Sequence, residues 1–324
     1  MAGPLTPTVV ALLSHRARNN VHTLILLLGM TTLLALLGHL LGGTAGVLWA
    51  LLLSGLLLAL SPRIAPALLL RLYGGRPIHP AEAPGLVQAV ATLAARAGLE
   101  RPPALFLVPS PVLNAFTVGT PKSAAVAVTA GLLRNLPARE LVAVLAHEIA
   151  HIQNRDMLVM GLADLISRLT AVLSNVGVLL VLVNLPLVMI GAATVNWGAV
   201  ALLLLAPAVG VLLQLALSRT REFDADAGAV ALTGDPEGLI RALARLEHHE
   251  GRWLEQVLLP GRRLPDPSLL RTHPPTEERI RRLQAIAQQM PPATPAANDD
   301  WTPPRHLGPA ELGRPRWRPG GLWY

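Results

Sequence analysis

The chain of 324 residues contains no cysteine. Disulfides, thiol catalysis and cysteine zinc ligands are therefore excluded, although the compartment is not thereby fixed. Charge is scarce as well: only 15% of residues are Asp, Glu, Lys or Arg, against about 25% in ordinary soluble domains. There is no internal repeat, and no RNP-like or zinc-finger pattern that would turn the net charge of +7 into a nucleic-acid footprint. What replaces charge is apolar surface. Hydrophobic residues make up 52% of the chain, and the mean hydropathy is +0.47.

That apolar content is concentrated in four runs that approach or reach the roughly 20 residues needed to span a bilayer. They are Val21–Leu41, Ala45–Leu60, Ala171–Ile190 and Gly198–Leu217. Small residues punctuate all four, as close helix packing in lipid requires. Asn175, Asn184 and Gln214 are expected to make interhelical hydrogen bonds. The first run is long for a signal peptide, and a second follows almost at once, so 21–60 reads as a retained hairpin. His22 and His39, near its ends, read as interfacial rather than metal-binding. Arg16 and Arg18 precede it, and Arg63, Arg71 and Arg76 follow it. Arg155, Arg168, Arg219 and Arg221 flank the second pair of runs, while the turns at Gly42–Thr44 and Gly191–Trp197 carry no charge. Every basic cluster thus falls on one side, which the positive-inside rule makes the cytoplasmic side.

Between the two hydrophobic pairs stands His147-Glu148-Ile149-Ala150-His151. Leu136–Asp156 is expected to be a helix, with Pro137 in its first turn and Leu141, Val142, Leu145, Ile149 and Ile152 as its apolar set. Histidines four residues apart share one face of that helix and can reach one metal ion, while Glu148 can take a proton from an attacking water. In a chain of this composition the pattern arises by chance about 0.01 times. Catalytic zinc takes three protein ligands, and without cysteine the third must be His, Asp or Glu. The best candidate lies in Arg221-Glu222-Phe223-Asp224-Ala225-Asp226. Glu222 and Asp226 share a helix face, so Glu222 can bind the ion while Asp226 accepts a hydrogen bond from a ligand histidine. Asp224 points elsewhere and is expected to be solvated. Because ligands must all lie within about 2 Å of the ion, an even number of membrane crossings separates His151 from Glu222. Two apolar runs lie there, and the charge rule gives the same topology.

The remaining soluble part reads as a helix over Pro84–Leu99, short strands over Ala104–Val108, Val112–Val118 and Ala124–Thr129, and helices over Pro236–Trp253 and Thr276–Met290. An exposed edge strand can hold an extended peptide through backbone hydrogen bonds. Asn114, on the second strand, is a candidate for positioning substrate, weighed equally against a strand-end role. His273, in the loop Arg271-Thr272-His273-Pro274-Pro275, is a candidate for stabilising an oxyanion, weighed equally against capping the next helix. The adjacent His248 and His249 face different directions and are assigned no function. Residues 291–324, rich in proline and carrying Trp301, Trp317 and Trp323, read as a disordered tail.

From Val21 to Met290 the chain resembles the HtpX family of membrane zinc proteases, gluzincins related to the CAAX prenyl proteases. The resemblance rests on Asn114-Ala115-Phe116, on 144–151 with Asn154-Arg155-Asp156, on Arg221–Asp226, and on Thr272–Pro275 with Arg279-Ile280. It implies one Zn2+ per chain bound by His147, His151 and Glu222, with Glu148 as catalytic base. It also implies a cytoplasm-facing site in the cell inner membrane that degrades damaged or misfolded membrane proteins.

The expected fold is therefore a mainly α integral membrane protein. It has four transmembrane helices and a gluzincin-like catalytic domain with a small β-sheet. Its segments are 1–62 (first hairpin), 63–156 (first catalytic half), 157–218 (second hairpin), 219–290 (second catalytic half) and 291–324 (tail). The expected function is zinc-dependent endoproteolysis of unfolded or membrane-protein substrates, with the bilayer as the other partner and no nucleic acid; the oligomeric state stays open. The alternatives are a CAAX-prenyl-protease-like endopeptidase and a non-catalytic membrane chaperone or scaffold. An intramembrane protease is disfavoured by Arg139, Glu140, Asn154, Arg155 and Asp156, which flank the motif.

Overall fold

The computed structural model describes residues 7–60, 70–71, 74–192, 194–257 and 276–290. The protein is mainly helical with a small mixed sheet. Its described residues form two compact units. One comprises Ser14–Arg63 and Leu158–Arg221; the other is drawn from Met1–Leu13, Ile64–Met157 and Glu222–Tyr324.

The first unit holds the apolar runs. Among the described residues three helices are long and apolar enough to cross a membrane. These are α1 (Pro7–Leu60), and the helices spanning Asp156–Met189 and Trp197–Thr233. Helix α1 is interrupted at Gly42 and Gly43, where Gly43 adopts φ 59°, a left-handed value that costs glycine little. An unbroken helix would hold Gly38 and Gly46 about 12 Å apart. Here a Cβ on Gly38 would lie 2.7 Å from the Gly46 carbonyl oxygen. The chain therefore doubles back, and the backbones of the two limbs meet where neither residue has a side chain. Met30 and Leu34 on one limb and Ala50 on the other join Ala163, Ile166 and Leu217 in one apolar cluster.

The other two helices of this unit lie antiparallel. Ser174 Oγ donates to the Leu203 carbonyl, and Gly210 faces Ser167 and Thr170, so contacts run in opposite order along the pair. Gly177 leaves room for the Leu203 side chain. Asn184 departs from expectation. Its Nδ2 donates to the Leu180 carbonyl one turn earlier in the same helix.

In the second unit β1 (Arg76–Pro77), α2 (Pro84–Arg96), β2 (Ala104–Val108), β3 (Ala115–Val118) and β4 (Ala125–Thr129) come first. They are followed by α3 (Ala130–Asn135), α4 (Ala138–Gln153), the first residues of α5 (Asp156–Met189) and the last turns of α6 (Trp197–Thr233). Helices α7 (Pro236–Val257) and α8 (Thr276–Gln289) complete it. The sheet order is β1-β2-β4-β3. β2 and β4 are parallel, while β1 and β3 pair antiparallel to β2 and β4.

Strand β3 starts three residues later than the sequence suggests, and Thr129 gives the reason. Its hydroxyl donates to the Val112 carbonyl at 2.6 Å and accepts from the Asn114 amide at 3.0 Å, so a side chain takes over where a ladder would run. The same hydroxyl caps α3 by accepting from the Leu132 amide. Helix α4 is also shorter than expected. Pro137 is its N-cap rather than part of its first turn, and Arg155, at φ 58°, ends it and starts α5 at Asp156. The apolar face of α4 (Leu141, Leu145, Ile149 and Ile152) is fully buried in a core shared with α2, β2, β4 and the ends of α6, α7 and α8. The loop containing His273 and the tail 291–324 lie outside the described residues.

Substituting Gly46 by valine is expected to force the limbs of α1 apart, at about 1–3 kcal/mol for overpacking. Gly55, which has open space around it, is the control. Thermal unfolding of the detergent-solubilised protein should show a lower midpoint for Gly46→Val than for Gly55→Val.

Candidate metal centre

Helix α4 presents His147 and His151 on one face because they are four residues apart. Their rings stand edge to face, with centroids 4.6 Å apart, and their Nε2 atoms converge to 3.1 Å. Glu222 on α6 completes the group. Its carboxylate oxygens lie 3.4 Å from His147 Nε2 and 3.7 Å from His151 Nε2. Four ligands at the zinc–nitrogen and zinc–oxygen bond length of about 2.0–2.1 Å are separated by edges of about 3.3 Å in a tetrahedron. The three observed separations, the two to Glu222 running to different oxygens of its carboxylate, bracket that value. One atom from each residue lies within 4.8 Å of the others, so the group can hold a metal ion.

The opposite face of each imidazole decides its tautomer. Asp226 Oδ1 lies 3.0 Å from His147 Nδ1, and Asp156 Oδ2 lies 2.7 Å from His151 Nδ1. A carboxylate has no proton to give, so each Nδ1 is the donor, and both Nε2 lone pairs are free to point at an ion. The donor set therefore fits zinc: two neutral imidazoles oriented from behind, and one carboxylate. Asp226 lies one turn along α6 from Glu222. Asp156 is the first residue of α5, reached through the left-handed Arg155.

Three buried carboxylates beside two imidazoles need positive charge. Arg279 on α8 supplies it, at 6% exposure. Its Nε and Nη2 donate to the two oxygens of Asp226 at 2.8 and 2.7 Å, and its Nη1 lies 3.2 Å from Glu222. The guanidinium of Arg282 stacks 3.5 Å from the centroid of Phe223, so two arginines of α8 grip successive turns of the segment that carries Glu222.

The same carboxylates raise the basicity of the rings. Burial opposes a charged His147, but its hydrogen bonds to Asp226 and Glu222 outweigh that, and its pKa rises to about 10. His151 is likewise raised against burial, chiefly by Asp156. The Nε2 atoms are 3.1 Å apart, so a charge on either ring disfavours one on the other.

Glu148 follows His147 on α4 and is buried. Its Oε2 accepts from the hydroxyl of Thr117 on β3 at 2.8 Å. Asn114 is held through its backbone, which exchanges hydrogen bonds with Thr129. Among the described residues no hydrogen bond or ion pair joins its side chain to the metal group. Asp224, expected at the surface, is buried at 3% exposure, because α6 is packed on more than its ligand-bearing face. Arg279, Asp156 and Thr117 are contacts that the sequence alone did not assign. For Asp156 the signal was its position five residues beyond His151. For Arg279 it was an arginine within an amphipathic helix, and for Thr117 the alternation along β3.

A helix-borne pair of histidines, a carboxylate from a second helix and an adjacent glutamate define a metallopeptidase centre. The model of peptidase family M48 matches residues 80–287. The protein named protease HtpX homolog from Sulfurihydrogenibium sp. is 37% identical over 297 residues, covering 85% of this chain and 98% of that one. The protein of the same name from Aquifex aeolicus is 37% identical over 275 residues, covering 80% and 90%. Among solved structures, the crystal structure of S. mikatae Ste24p aligns with a TM-score of 0.48 at 21% identity, covering 83% of this chain and 66% of that one. The chain belongs to peptidase family M48; it is a membrane metallopeptidase.

Two outcomes follow. A metal that displaces a proton from His147 should bind about tenfold more weakly for each pH unit lowered below the raised value of about 10. Chelator-competition titrations with zinc at pH 6, 7 and 8 measure this, and a constant affinity would contradict it. Arg279→Leu leaves buried carboxylates without their partner and should cost about 3–5 kcal/mol in denaturant unfolding of the metal-free protein.

Proposed function

We propose that the protein is a membrane-anchored zinc endopeptidase that holds one Zn2+ through His147, His151 and Glu222 and uses Glu148 as its general base. The observation that carries this reading is the convergence of two Nε2 atoms and a carboxylate at tetrahedral spacing, with a carboxylate behind each ring. When bound, zinc lowers the pKa of its water to about 7 and polarises the scissile carbonyl. Glu148 accepts the proton of the attacking water and returns it to the leaving amine. Asp226 and Asp156 hold the imidazoles in the tautomer that ligation requires. Arg279 holds Asp226 ionised and aims both Asp226 and Glu222.

In this reading each limb of α1 crosses the bilayer, as do α5 and α6, which makes four crossings. The catalytic domain, of the gluzincin type, is assembled from 63–156 and 219–290. The basic residues beside the apolar runs favour a cytoplasm-facing site in an inner membrane. Proximity to a bilayer and backbone pairing along a strand edge suit unfolded or damaged membrane proteins as substrates. The naming of relatives as HtpX homologs is in keeping with protein quality control.

Glu148→Gln should retain about one zinc per chain and lose casein cleavage by at least a hundredfold, whereas Glu222→Gln should lose the zinc as well. Metal analysis and proteolysis of the detergent-purified variants separate the two roles. Normal cleavage by Glu148→Gln, or full zinc retention by Glu222→Gln, would overturn the assignment concerned.

A further inference from the structure

Strand β3 lies at the edge of the sheet, hydrogen-bonded on one side to β4 and, among the described residues, paired with no strand on the other. Its side chains alternate. Phe116 and Val118 pack with Phe106 and Val108 on one face, while Ala115 joins the core that includes the apolar face of α4. Period-two geometry sends Thr117 the same way as Ala115. It ends at Glu148, where its hydroxyl donates to Oε2 at 2.8 Å and lies 3.4 Å from the backbone carbonyl.

From this contact we infer that Thr117 is the positioning residue of the base. The inference rests on the reading of Glu148 as general base. A glutamate side chain has three rotatable bonds, and its neighbours His147 and His151 fix the ion but not the carboxylate. One hydroxyl donated to Oε2 selects a single orientation and leaves Oε1 for the attacking water. Because that hydroxyl comes from the edge strand, the strand that would hold an extended peptide also holds the group that activates water against it. The alignment of base and substrate is therefore set by one element. Valine has the shape of threonine without the donor, so Thr117→Val removes the bond while preserving packing, and Thr117→Ser restores the donor.

The test uses the full-length protein in detergent micelles, a fluorogenic casein-derived peptide, and zinc content measured on each variant. Thr117→Val should keep zinc and KM within about twofold of the parent and lose kcat by about ten- to a hundredfold, as expected for a hydrogen bond to a charged group. Thr117→Ser should recover kcat to within about threefold. Unchanged kcat in Thr117→Val overturns the inference. So does loss of zinc in that variant, or equal loss in Thr117→Ser, since either would make Thr117 a packing residue. Glu148→Gln measured beside them keeps the questions apart. If it cleaves normally, the base assignment fails; if it is inactive while Thr117→Val is normal, only the present inference fails.

Discussion

Three side chains from two distant parts of the chain must reach one point, and the rest of the structure is arranged around that convergence. His147 and His151 come from α4, and Glu222 comes from the far end of α6. Between them the chain runs through two long apolar helices. It leaves the site at Asp156, whose carboxylate holds His151, and returns at Glu222 and Asp226, the second of which holds His147. Both ends of the excursion therefore touch the histidines. A shift of register between α5 and α6 would remove a ligand and one or both of the carboxylates that orient the rings.

Charge makes this convergence demanding. Glu222, Asp226 and Asp156 are all buried, and buried charge is tolerated only when it is paired. Arg279 pairs with two of them. That pairing leaves the group with excess negative charge, which a divalent cation would offset.

The parts of this arrangement that were legible in the sequence are the local and the periodic ones. Histidines four apart on a helix must share a face, and long apolar runs must find an apolar environment. The proximity of Glu222 to the histidines was legible because metal geometry and membrane topology constrain the same interval. What escaped the sequence was set by tertiary packing. Arg279 lies far along the chain from Asp226, and no spacing rule links them. Asp224 was expected in water because a single amphipathic face was assumed for α6, whereas that helix is packed on more than one face. Asn184 bonds to its own helix rather than a neighbour because the carbonyl four residues back is always within reach. Asn114, just before β3, was the residue singled out, but Thr117 on the strand makes the contact with Glu148.

The claim on which everything rests is that two imidazoles and one carboxylate, with no sulfur, hold the ion. Zinc K-edge absorption on the detergent-purified protein measures that ligand set directly. The account predicts two imidazole nitrogens and oxygen donors at about 2.0–2.1 Å in four-coordinate geometry. A shell of six oxygens, or one containing a single imidazole, would contradict it.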